Sequence, residues 1–444
     1  MTKRQENGMK DYKEKIINVE KALSFIESDS CIMTAVAAAA PQVFLSELHT
    51  IADRVRNVNV NLCLSLRSYP FLESSEYEES FEVVSWFYGS GERKAQKMRK
   101  ITYCPNHLRY MGRNRLKAIR PNIFVGCGTY PDENGKLSLS LSSIYETEVM
   151  AAADIVIIEM NKKCPRTFGD VELHVDNVDY LIEADYDIPV VPSAEPNEKD
   201  MIIGKYIAEY IQDGDCIQLG IGGIPNAVAR SLYNKKDLGV HTEMLTTEMV
   251  KLAKAGVING SNKQIDKGQM VATFAMGTQE MYEYMDNNPT VKIASSIYVT
   301  DPNVIARNDN QVSINTTLEV DLTGQCCSES IGQVQFSGTG GQTDTAIGAQ
   351  LSKYGRSFIA LYSTAMVRNP KTGEKEEISK IVCQLKPGAA VSLSRNDIEY
   401  LVTEYGVVNL KGKTVKERVG LIISVAHPKF REHLMQEAKK AGLI

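Results

Sequence analysis

The chain has 444 residues, of which 43% are hydrophobic and 24% charged, and this composition excludes a fibrous or largely disordered protein. Because this length exceeds the size at which one hydrophobic core stops growing, at least two domains are expected. The 50 Lys and Arg residues against 55 Asp and Glu residues give a net charge of -5, which disfavours a general attraction to nucleic acid or to an anionic membrane.

The sequence carries no sign of export or of a membrane span. Its longest apolar run, CIMTAVAAAAP at residues 31–41, is far shorter than the roughly 20 residues that a spanning helix needs. The charged N-terminal residues 1–15 have no apolar core behind them, unlike a secretory signal. The nine cysteines form no CxxC pair and are expected to be reduced thiols, so a cytoplasmic protein is predicted.

Short apolar strands alternate with amphipathic stretches along the chain, a pattern typical of an α/β protein. The polar stretch SAEPNEKD at 193–200 resembles a linker, and the segment after it has apolar residues at helical spacing. We therefore predict a domain boundary near residue 195, with an N-terminal domain at 1–195 and a C-terminal domain at 196–444.

The two halves share a layout. The stretch SDSCIMTAVAAAAPQVFLSEL at 28–48 is repeated in outline by DGDCIQLGIGGIPNAVARSL at 213–232, with a cysteine–isoleucine strand followed by a small-residue turn and a proline. The cysteines Cys31 and Cys216 are separated by 185 residues, and Pro41 and Pro225 by 184. This echo predicts two tandem open α/β domains of related topology, with the active site between them.

The strongest glycine signal is GIGGIPN at 220–226, between the apolar strand CIQL and a helical segment. Glycines at a strand-to-helix turn let a ligand approach backbone N–H groups, and a helix N-terminus favours an anion. A dinucleotide fingerprint would need glycine where Pro225 stands, and no GxxxxGK motif occurs, so neither nucleotide signature fits. The residues alone leave open a ligand-binding turn and a merely tight structural turn.

Two further segments are candidates. Glu243, in HTEM at 241–244, follows a short apolar strand, and open α/β proteins bind ligands at the carboxyl ends of their strands. The cluster GTGGQTD at 338–344 is suited to hold an oxyanion, although an ordinary loop is equally consistent with it. The six histidines lack metal-ligand spacing and no GxSxG motif is present, so we predict no metal site and no serine-hydrolase elbow.

Six motifs in order carry a family resemblance: GIGGIPNAV (220–228), LGVHTEM (238–244), VSINTTLEVDLTGQ (312–325), SESIGQVQFSGTGGQTD (328–344), VTEYGVVNLKGKT (402–414) and AHPKFREHL (426–434). Together they resemble the acetyl-CoA hydrolase/transferase family of class I CoA-transferases, and most of all its butyryl-CoA:acetate and 4-hydroxybutyrate CoA-transferases. The resemblance is dense over residues 200–444 and sparser before them. One departure is LTTEM at 245–249, where relatives often have an [FY]-[SV]-D segment, and this puts fine substrate preference in doubt.

The resemblance implies roles for single residues. Glu243 matches the family's catalytic glutamate. The CoA-binding positions are Gly220, Ile221, Gly222, Gly223, Ile224, Leu318 and Gly341. Asn315 and Glu404 match polar positions that help to order the site. Lys353 and Arg356 could meet the CoA phosphates, but a solvated face is the simpler interpretation of these two residues.

The family's chemistry implies that CoA moves from a short-chain acyl-CoA to acetate or a similar carboxylate through a glutamyl-CoA thioester. CoA would be substrate and covalent intermediate, with no resident cofactor, and a homodimer or homotetramer is expected. Two alternatives remain open at this point: an acyl-CoA hydrolase on the same scaffold, and a non-catalytic regulatory protein of this fold.

Overall fold

A computed structural model describes residues 12–98, 100–369 and 372–444. Residues 1–11 lie outside the described residues. They are part of the charged segment 1–15, which is not expected to be a secretory signal. The chain divides into two compact units. The first consists of Met1–Pro192 and Val271–Val299, and the second of Ser193–Met270 and Thr300–Ile444.

The first unit is built on a parallel sheet of seven strands in the order β10-β7-β5-β1-β2-β3-β4. Its central strands are almost wholly buried, as expected for a parallel sheet that is covered on both faces. Numbered along the whole chain, the strands are β1 Cys31–Thr34, β2 Val58–Leu62, β3 Phe81–Ser85, β4 Ile101–Tyr103, β5 Ile123–Gly128, β7 Ile155–Asn161 and β10 Tyr180–Ala184.

Helices and short strands complete this unit. The helices are α1 Val19–Leu23, α2 Gln42–Glu47, α3 Pro70–Glu73, α4 Ser90–Lys97, α5 Met111–Ala118, α6 Glu146–Ala152, α10 Gln279–Met285 and α11 Ser296–Val299. The remaining strands are β6 Lys136–Ser138, β8 Phe168–Gly169, β9 Glu172–His174, β13 Met270–Ala275 and β14 Val291–Ile293.

The second unit also has a mainly parallel sheet, whose strands lie in the order β25-β24-β20-β15-β11-β12. Only the last pair along the chain, β24 with β25, is antiparallel. These strands are β11 Cys216–Leu219, β12 Gly239–Leu245, β15 Gln311–Thr316, β20 Arg356–Ala360, β24 Tyr400–Thr403 and β25 Gly406–Asn409.

Seven helices and seven short strands accompany that sheet among the described residues. The helices are α7 Glu198–Ala208, α8 Gly223–Arg230, α9 Thr247–Lys254, α12 Pro302–Ile305, α13 Gln342–Leu351, α14 Val415–Ser424 and α15 Pro428–Lys440. The short strands are β16 Glu319–Asp321, β17 Cys326–Cys327, β18 Ser330–Ile331, β19 Val334–Gln335, β21 Thr364–Arg368, β22 Lys375–Ser379 and β23 Ile381–Val382.

The predicted α/β class and the related topology of the two halves are confirmed. In the first unit, β1 lies between β5 and β2, and in the second, β11 lies between β15 and β12. Cys31 begins β1 and Cys216 begins β11, so the echo in the sequence marks the first strand of each unit's sheet. Short strand-to-helix turns follow both strands, because parallel neighbours must be joined by crossover connections.

The division of the chain differs from the predicted domains at one place. The first unit ends at Pro192 and also includes Val271–Val299, a segment that lies within the predicted C-terminal domain. Strand β14 in that segment pairs with β8, and Tyr282 donates a hydrogen bond to the carbonyl of Pro189 over 2.9 Å. When a later segment of the chain folds back into an earlier unit in this way, the amino-acid composition does not show it.

Among the residues described, no helix is both long enough and apolar enough to cross a membrane. All nine cysteines are free thiols, and seven of them are buried.

Candidate active site

Glu243 lies on β12, at the carboxyl edge of the second unit's sheet. The parallel register of β11 and β12 places Cys216 opposite Gly239, and continuing that register brings Glu243 level with Gly220, the residue after β11. The residues of β12 on either side of Glu243 are buried, whereas its own side chain is partly exposed. This edge is where open α/β proteins bind ligands.

The carboxylate of Glu243 is fixed by the start of α13. The backbone N–H of Gly341, the residue before this helix, donates a hydrogen bond to Oε2 of Glu243 over 2.6 Å. The positive end of the helix dipole also favours a negative charge at this point. The two motifs that the sequence analysis set apart, HTEM and GTGGQTD, therefore meet in one place.

Gly341 leaves no room for a side chain. A Cβ atom at this position would overlap Oε2 of Glu243, and it would lie 3.2 Å from Cδ of Glu243 and 3.5 Å from Cγ2 of Thr300. The need for glycine at 341 is thus a matter of close approach to the carboxylate, since its φ of -99° is accessible to other residues.

The protonation of Glu243 is poised near neutral pH. Burial raises the pKa of its carboxyl group to about 7, the hydrogen bond from Gly341 opposes this rise, and the carboxylate of Asp344 adds to it. A carboxylate in such surroundings is poorly solvated when ionised, and it is correspondingly reactive toward an electrophilic carbonyl.

The glycine turn at 220–224 is open to a ligand. Gly222 has a φ of +112°, which L residues rarely adopt, and a Cβ atom there would meet no described atom within 4 Å. Ile221 is 48% exposed, an unusual state for a large apolar side chain at the end of a buried strand. Helix α8 begins at Gly223, so backbone N–H groups of its first turn face the space beside the turn.

A buried carboxylate supports the turn from behind. The carboxyl group of Asp200, on α7, packs so closely against Gly223 that a Cβ atom at 223 would lie 2.7 Å from Cγ of Asp200. The hydroxyl of Tyr362 donates to Oδ1 of Asp200 over 2.6 Å, and the N–H of Asn197 donates to Oδ2 over 2.9 Å. Gly223 is therefore required by packing against Asp200, whereas Gly222 is required by its backbone angle.

Sequence reasoning missed Asp200 and Tyr362. Asp200 stands in the predicted linker, and one acidic residue in a polar stretch is no signal. The pattern that could have found it is the capping box of α7, in which the side chain of Asn197 accepts the N–H of Asp200 and the Asp200 carboxylate accepts the N–H of Asn197.

Leu318, the remaining predicted CoA contact, lies between β15 and β16. Its N–H already donates to the carbonyl of Cys327 over 3.0 Å. A contact with CoA through the backbone at this position is therefore left to the Leu318 carbonyl.

Asn315 belongs to a buried polar network beneath α13. Its side-chain nitrogen donates to Oγ of Ser313 over 3.0 Å and to Oγ1 of Thr345 over 3.1 Å, and its side-chain oxygen accepts from Gln218 over 3.3 Å. Thr345 lies in α13, one turn beyond Gly341. The network connects the first turns of this helix to β11 and β15. Asn315 therefore helps to hold the helix, and with it Gly341, in place.

Glu404 follows β24, its side chain is 5% exposed, and it serves structural contacts. Its two oxygens accept from the N–H of Ser363 over 2.8 Å and from the Ser363 hydroxyl over 2.9 Å, and Lys199 lies 3.0 Å away. Burial raises the pKa of the Glu404 carboxyl, but these hydrogen bonds outweigh burial and lower it overall. The ionised carboxylate of Glu404 thus connects the loop after β20 to α7 through Ser363 and Lys199.

Lys353 and Arg356 lie at the opposite edge of the sheet. Arg356 is the first residue of β20 and forms an ion pair with Asp215, the residue before β11. Lys353 lies over the ring of Tyr354 at 5.2 Å. Both are at the amino ends of the strands, whereas Gly220 and Glu243 are at the carboxyl ends, so neither faces the candidate site.

No metal site is apparent in the part of the chain that the structure describes, since no three His, Cys, Asp or Glu side chains are grouped to hold an ion. The residues at the site itself are a carboxylate, backbone N–H groups and glycines. This set is suited to nucleophilic attack on an activated carbonyl and to the stabilisation of the resulting oxyanion.

The fold is that of an α/β protein with a carboxylate, Glu243, at the carboxyl edge of the second unit's sheet. Residues 1–192 match the N-terminal domain of the acetyl-CoA hydrolase/transferase family, and residues 277–438 match its C-terminal domain. The chain belongs to this family, and the resemblance found in the sequence is confirmed.

Full-length relatives share this assignment. The chain is 40% identical to the 4-hydroxybutyrate coenzyme A transferase of Clostridium kluyveri (97% of this chain, 98% of the relative). It is 39% identical to the succinyl-CoA:cyclohexane-1-carboxylate CoA transferase of Geobacter metallireducens (98% and 97%). It is 33% identical to the butyryl-CoA:acetate CoA-transferase of Anaerostipes caccae (98% and 98%). The crystal structure of RipA from Yersinia pestis matches with a TM-score of 0.88 at 34% identity, over 98% of this chain and 99% of that one.

Proposed function

We propose that the protein transfers CoA from a short-chain acyl-CoA, such as butyryl-CoA, to acetate or a similar carboxylate, with Glu243 as the nucleophile. The observation that carries the proposal is the Glu243 carboxylate on the N–H of Gly341, level with an open glycine turn. Relatives named as CoA-transferases along the whole chain support the same activity.

The proposed reaction begins with an attack of the Glu243 carboxylate on the thioester carbonyl of acyl-CoA. The C–S bond breaks, which gives a mixed anhydride and the CoA thiolate. The thiolate then attacks the glutamyl carbonyl, the C–O bond of the anhydride breaks, and the first acid leaves as a carboxylate. The glutamyl-CoA thioester that remains is attacked by the second carboxylate, and the same steps in reverse release a new acyl-CoA.

The N–H of Gly341 has a specific task in these steps. When the thiolate adds to the glutamyl carbonyl, negative charge develops on a glutamyl oxygen, and Oε2 already accepts a hydrogen bond from Gly341. A backbone donor held at the start of a helix needs no reorganisation as the charge develops, and loss of one such donor typically costs about 10²–10³ in rate.

The glycine turn supplies the binding site for CoA in this proposal. Gly222 offers an open backbone, and Ile221 offers an exposed apolar surface to the pantetheine arm. The residues Gly220, Gly223 and Ile224 shape the same turn, with Leu318 and Gly341 as further contacts. CoA serves as substrate and covalent intermediate, and the reaction as proposed requires no resident cofactor.

We propose that the enzyme is cytoplasmic, because its nine cysteines are expected to be reduced thiols. The family resemblance implies a homo-oligomer, either a dimer or a tetramer. Light scattering coupled to size-exclusion chromatography tests the oligomeric state, and a fluorescent C-terminal fusion tests the location.

The activity is tested by following butyryl-CoA consumption and acetyl-CoA formation with and without acetate. A transferase forms one acetyl-CoA for each butyryl-CoA consumed and stops without an acceptor acid. Equal consumption in both cases would instead identify the hydrolase alternative, in which water takes the place of the second acid. Calorimetry that detects no CoA binding would favour the non-catalytic alternative.

A further inference from the structure

A half-buried ammonium group lies behind the glycine turn and takes no part in the reaction described above. Lys380 is between β22 and β23, and its backbone is fixed on both sides. Its N–H donates to the carbonyl of Ser363 over 2.9 Å, and its carbonyl accepts from the N–H of Val320 over 3.0 Å. The backbone at Lys380 is therefore held by strand β16 and by the loop that contains Ser363.

Lys380 is connected to the glycine turn through two residues. Its Nζ lies 5.7 Å from the ring centroid of Tyr362, and the hydroxyl of Tyr362 binds Asp200 over 2.6 Å. The carboxyl group of Asp200 packs directly against Gly223. Lys380 thus contacts the pair of residues, Tyr362 and Asp200, that supports the turn.

The charges around Lys380 are paired with one another. Glu404 lies 3.0 Å from Lys199, and Glu319 lies 3.7 Å from Lys386. Within the described residues, Nζ of Lys380 has the ring of Tyr362 as its recorded contact and forms no ion pair within 4.0 Å. Burial lowers the pKa of this ammonium, against the attraction of Glu404 and Glu319.

A partly desolvated cation with no carboxylate in direct contact is unfavourable in the free protein, and an anionic ligand would reduce that cost. CoA carries phosphates at its nucleotide end, far from the thiol, so they lie away from Glu243 when the thiol is near it. Lys380 is linked through Tyr362 and Asp200 to Gly223 of the glycine turn. A small acceptor acid, by contrast, must reach the reacting carbonyl at Glu243.

We infer that Lys380 is a phosphate-binding residue, whose ammonium pairs with a phosphate of bound CoA. This assignment rests on the proposed function, because it takes CoA to be the ligand of the glycine turn. It also gives the nucleotide end of CoA a contact whose binding energy can be used at the distant thioester.

The test compares the parent enzyme with Lys380→Gln against CoA, dephospho-CoA and pantetheine. Lys380→Gln removes the charge with a side chain that is one atom shorter, and it changes one described contact, that of the ammonium with the ring of Tyr362. A charge-assisted contact of this kind predicts that the Kd of CoA, measured by titration calorimetry, rises about tenfold to a hundredfold. The value of kcat/KM for butyryl-CoA should fall by a similar factor.

The truncated ligands separate a phosphate contact from a general disturbance. With butyryl-pantetheine, which has no phosphate, Lys380→Gln and the parent should have the same kcat/KM. If the effect disappears with dephospho-CoA, the 3′-phosphate is the partner, and if it persists, the pyrophosphate is. Lys429→Gln, which breaks an exposed surface pair with Glu377, is the matched control and should leave the Kd of CoA unchanged.

Two outcomes would overturn the assignment: an equal loss with butyryl-CoA and butyryl-pantetheine, or no change in the Kd of CoA. Both are distinct from failure of the proposed function, which would appear in the parent enzyme as an absence of acetate-dependent transfer. Calorimetry of CoA binding does not depend on turnover. It therefore tests the phosphate contact of Lys380 even if the enzyme catalyses a reaction other than the proposed transfer.

Discussion

The backbone N–H of Gly341 donates a 2.6 Å hydrogen bond to Oε2 of Glu243, although the two residues are 98 positions apart in the chain. This contact joins a strand of the second unit's sheet to the start of α13, and it fixes the direction of the carboxylate. It also places a donor on the oxygen that would become the carbonyl oxygen of a glutamyl thioester.

Gly341→Ala tests this contact directly. The added Cβ would overlap the Glu243 carboxylate, which must then move, and a displacement of about 1 Å can cost about 10²-fold in rate. We expect kcat/KM for butyryl-CoA to fall at least about 100-fold while the melting temperature stays within a few degrees. Gly420→Ala in α14 is the control, since its Cβ would meet no described atom within 4 Å and alanine favours a helix. Equal activity of both variants would refute the role of Gly341.

Gly222→Val tests the glycine turn. A branched side chain at a φ of +112° strains the backbone and fills the space where CoA is proposed to pass. The Kd of CoA should rise by at least about tenfold. Gly412→Val controls for strain alone, because Gly412 also has a positive φ, +70°, with no described atom within 4 Å of its Cβ. If both variants are destabilised but bind CoA like the parent, the turn is not the CoA site.

The pH dependence of the rate follows from the raised pKa of Glu243. The carboxylate must be ionised to attack, and its pKa in the free enzyme is about 7. A plot of log kcat/KM against pH should therefore rise with unit slope below about pH 7 and level off above it. Butyryl-pantetheine should give the same inflection, since it carries no phosphate that titrates in this range. A flat profile between pH 5.5 and 8 would contradict an essential Glu243 with this pKa.

The stability of Glu243→Gln should depend on pH in a defined direction. A carboxyl group whose pKa is raised from 4.5 to about 7 binds its proton more tightly in the folded state, so its contribution to stability is lost as the pH rises through 7. The glutamine variant has no such loss. Its unfolding free energy relative to the parent should increase by about 2 kcal/mol from pH 5 to pH 8, measured by denaturant titration. A constant difference would mean that the glutamate is not desolvated as described.

Much of the fold could be predicted from the sequence, for identifiable reasons. The strand around Cys216 and the turn at 220–226 have a local pattern of apolar residues followed by glycines, and such patterns define strand-to-helix turns. The same pattern around Cys31 predicted the related topology of the two units. The return of Val271–Val299 to the first unit depends on long-range strand pairing, which no local pattern specifies.

The site was predictable in part. Its glycines and Glu243 lie in motifs that resemble those of a known family, and this resemblance identified them as candidate site residues. The residues that support the turn, Asp200 and Tyr362, come from a linker-like stretch and a loop 162 positions apart. Asp200 lies on α7 and Tyr362 in the loop after β20, so only the folded chain brings them together.

The central claim, that Glu243 carries CoA covalently, is tested most directly by trapping the thioester. The enzyme is incubated with butyryl-CoA without an acceptor acid, treated with borohydride, digested and analysed by mass spectrometry. We expect one modified residue, Glu243 reduced to the alcohol, in proportion to the butyrate released, and no modification in Glu243→Gln. That variant should bind CoA like the parent, and its peptide should be checked for deamidation. A label at another residue, or parental transfer by a verified Glu243→Gln enzyme, would contradict the account.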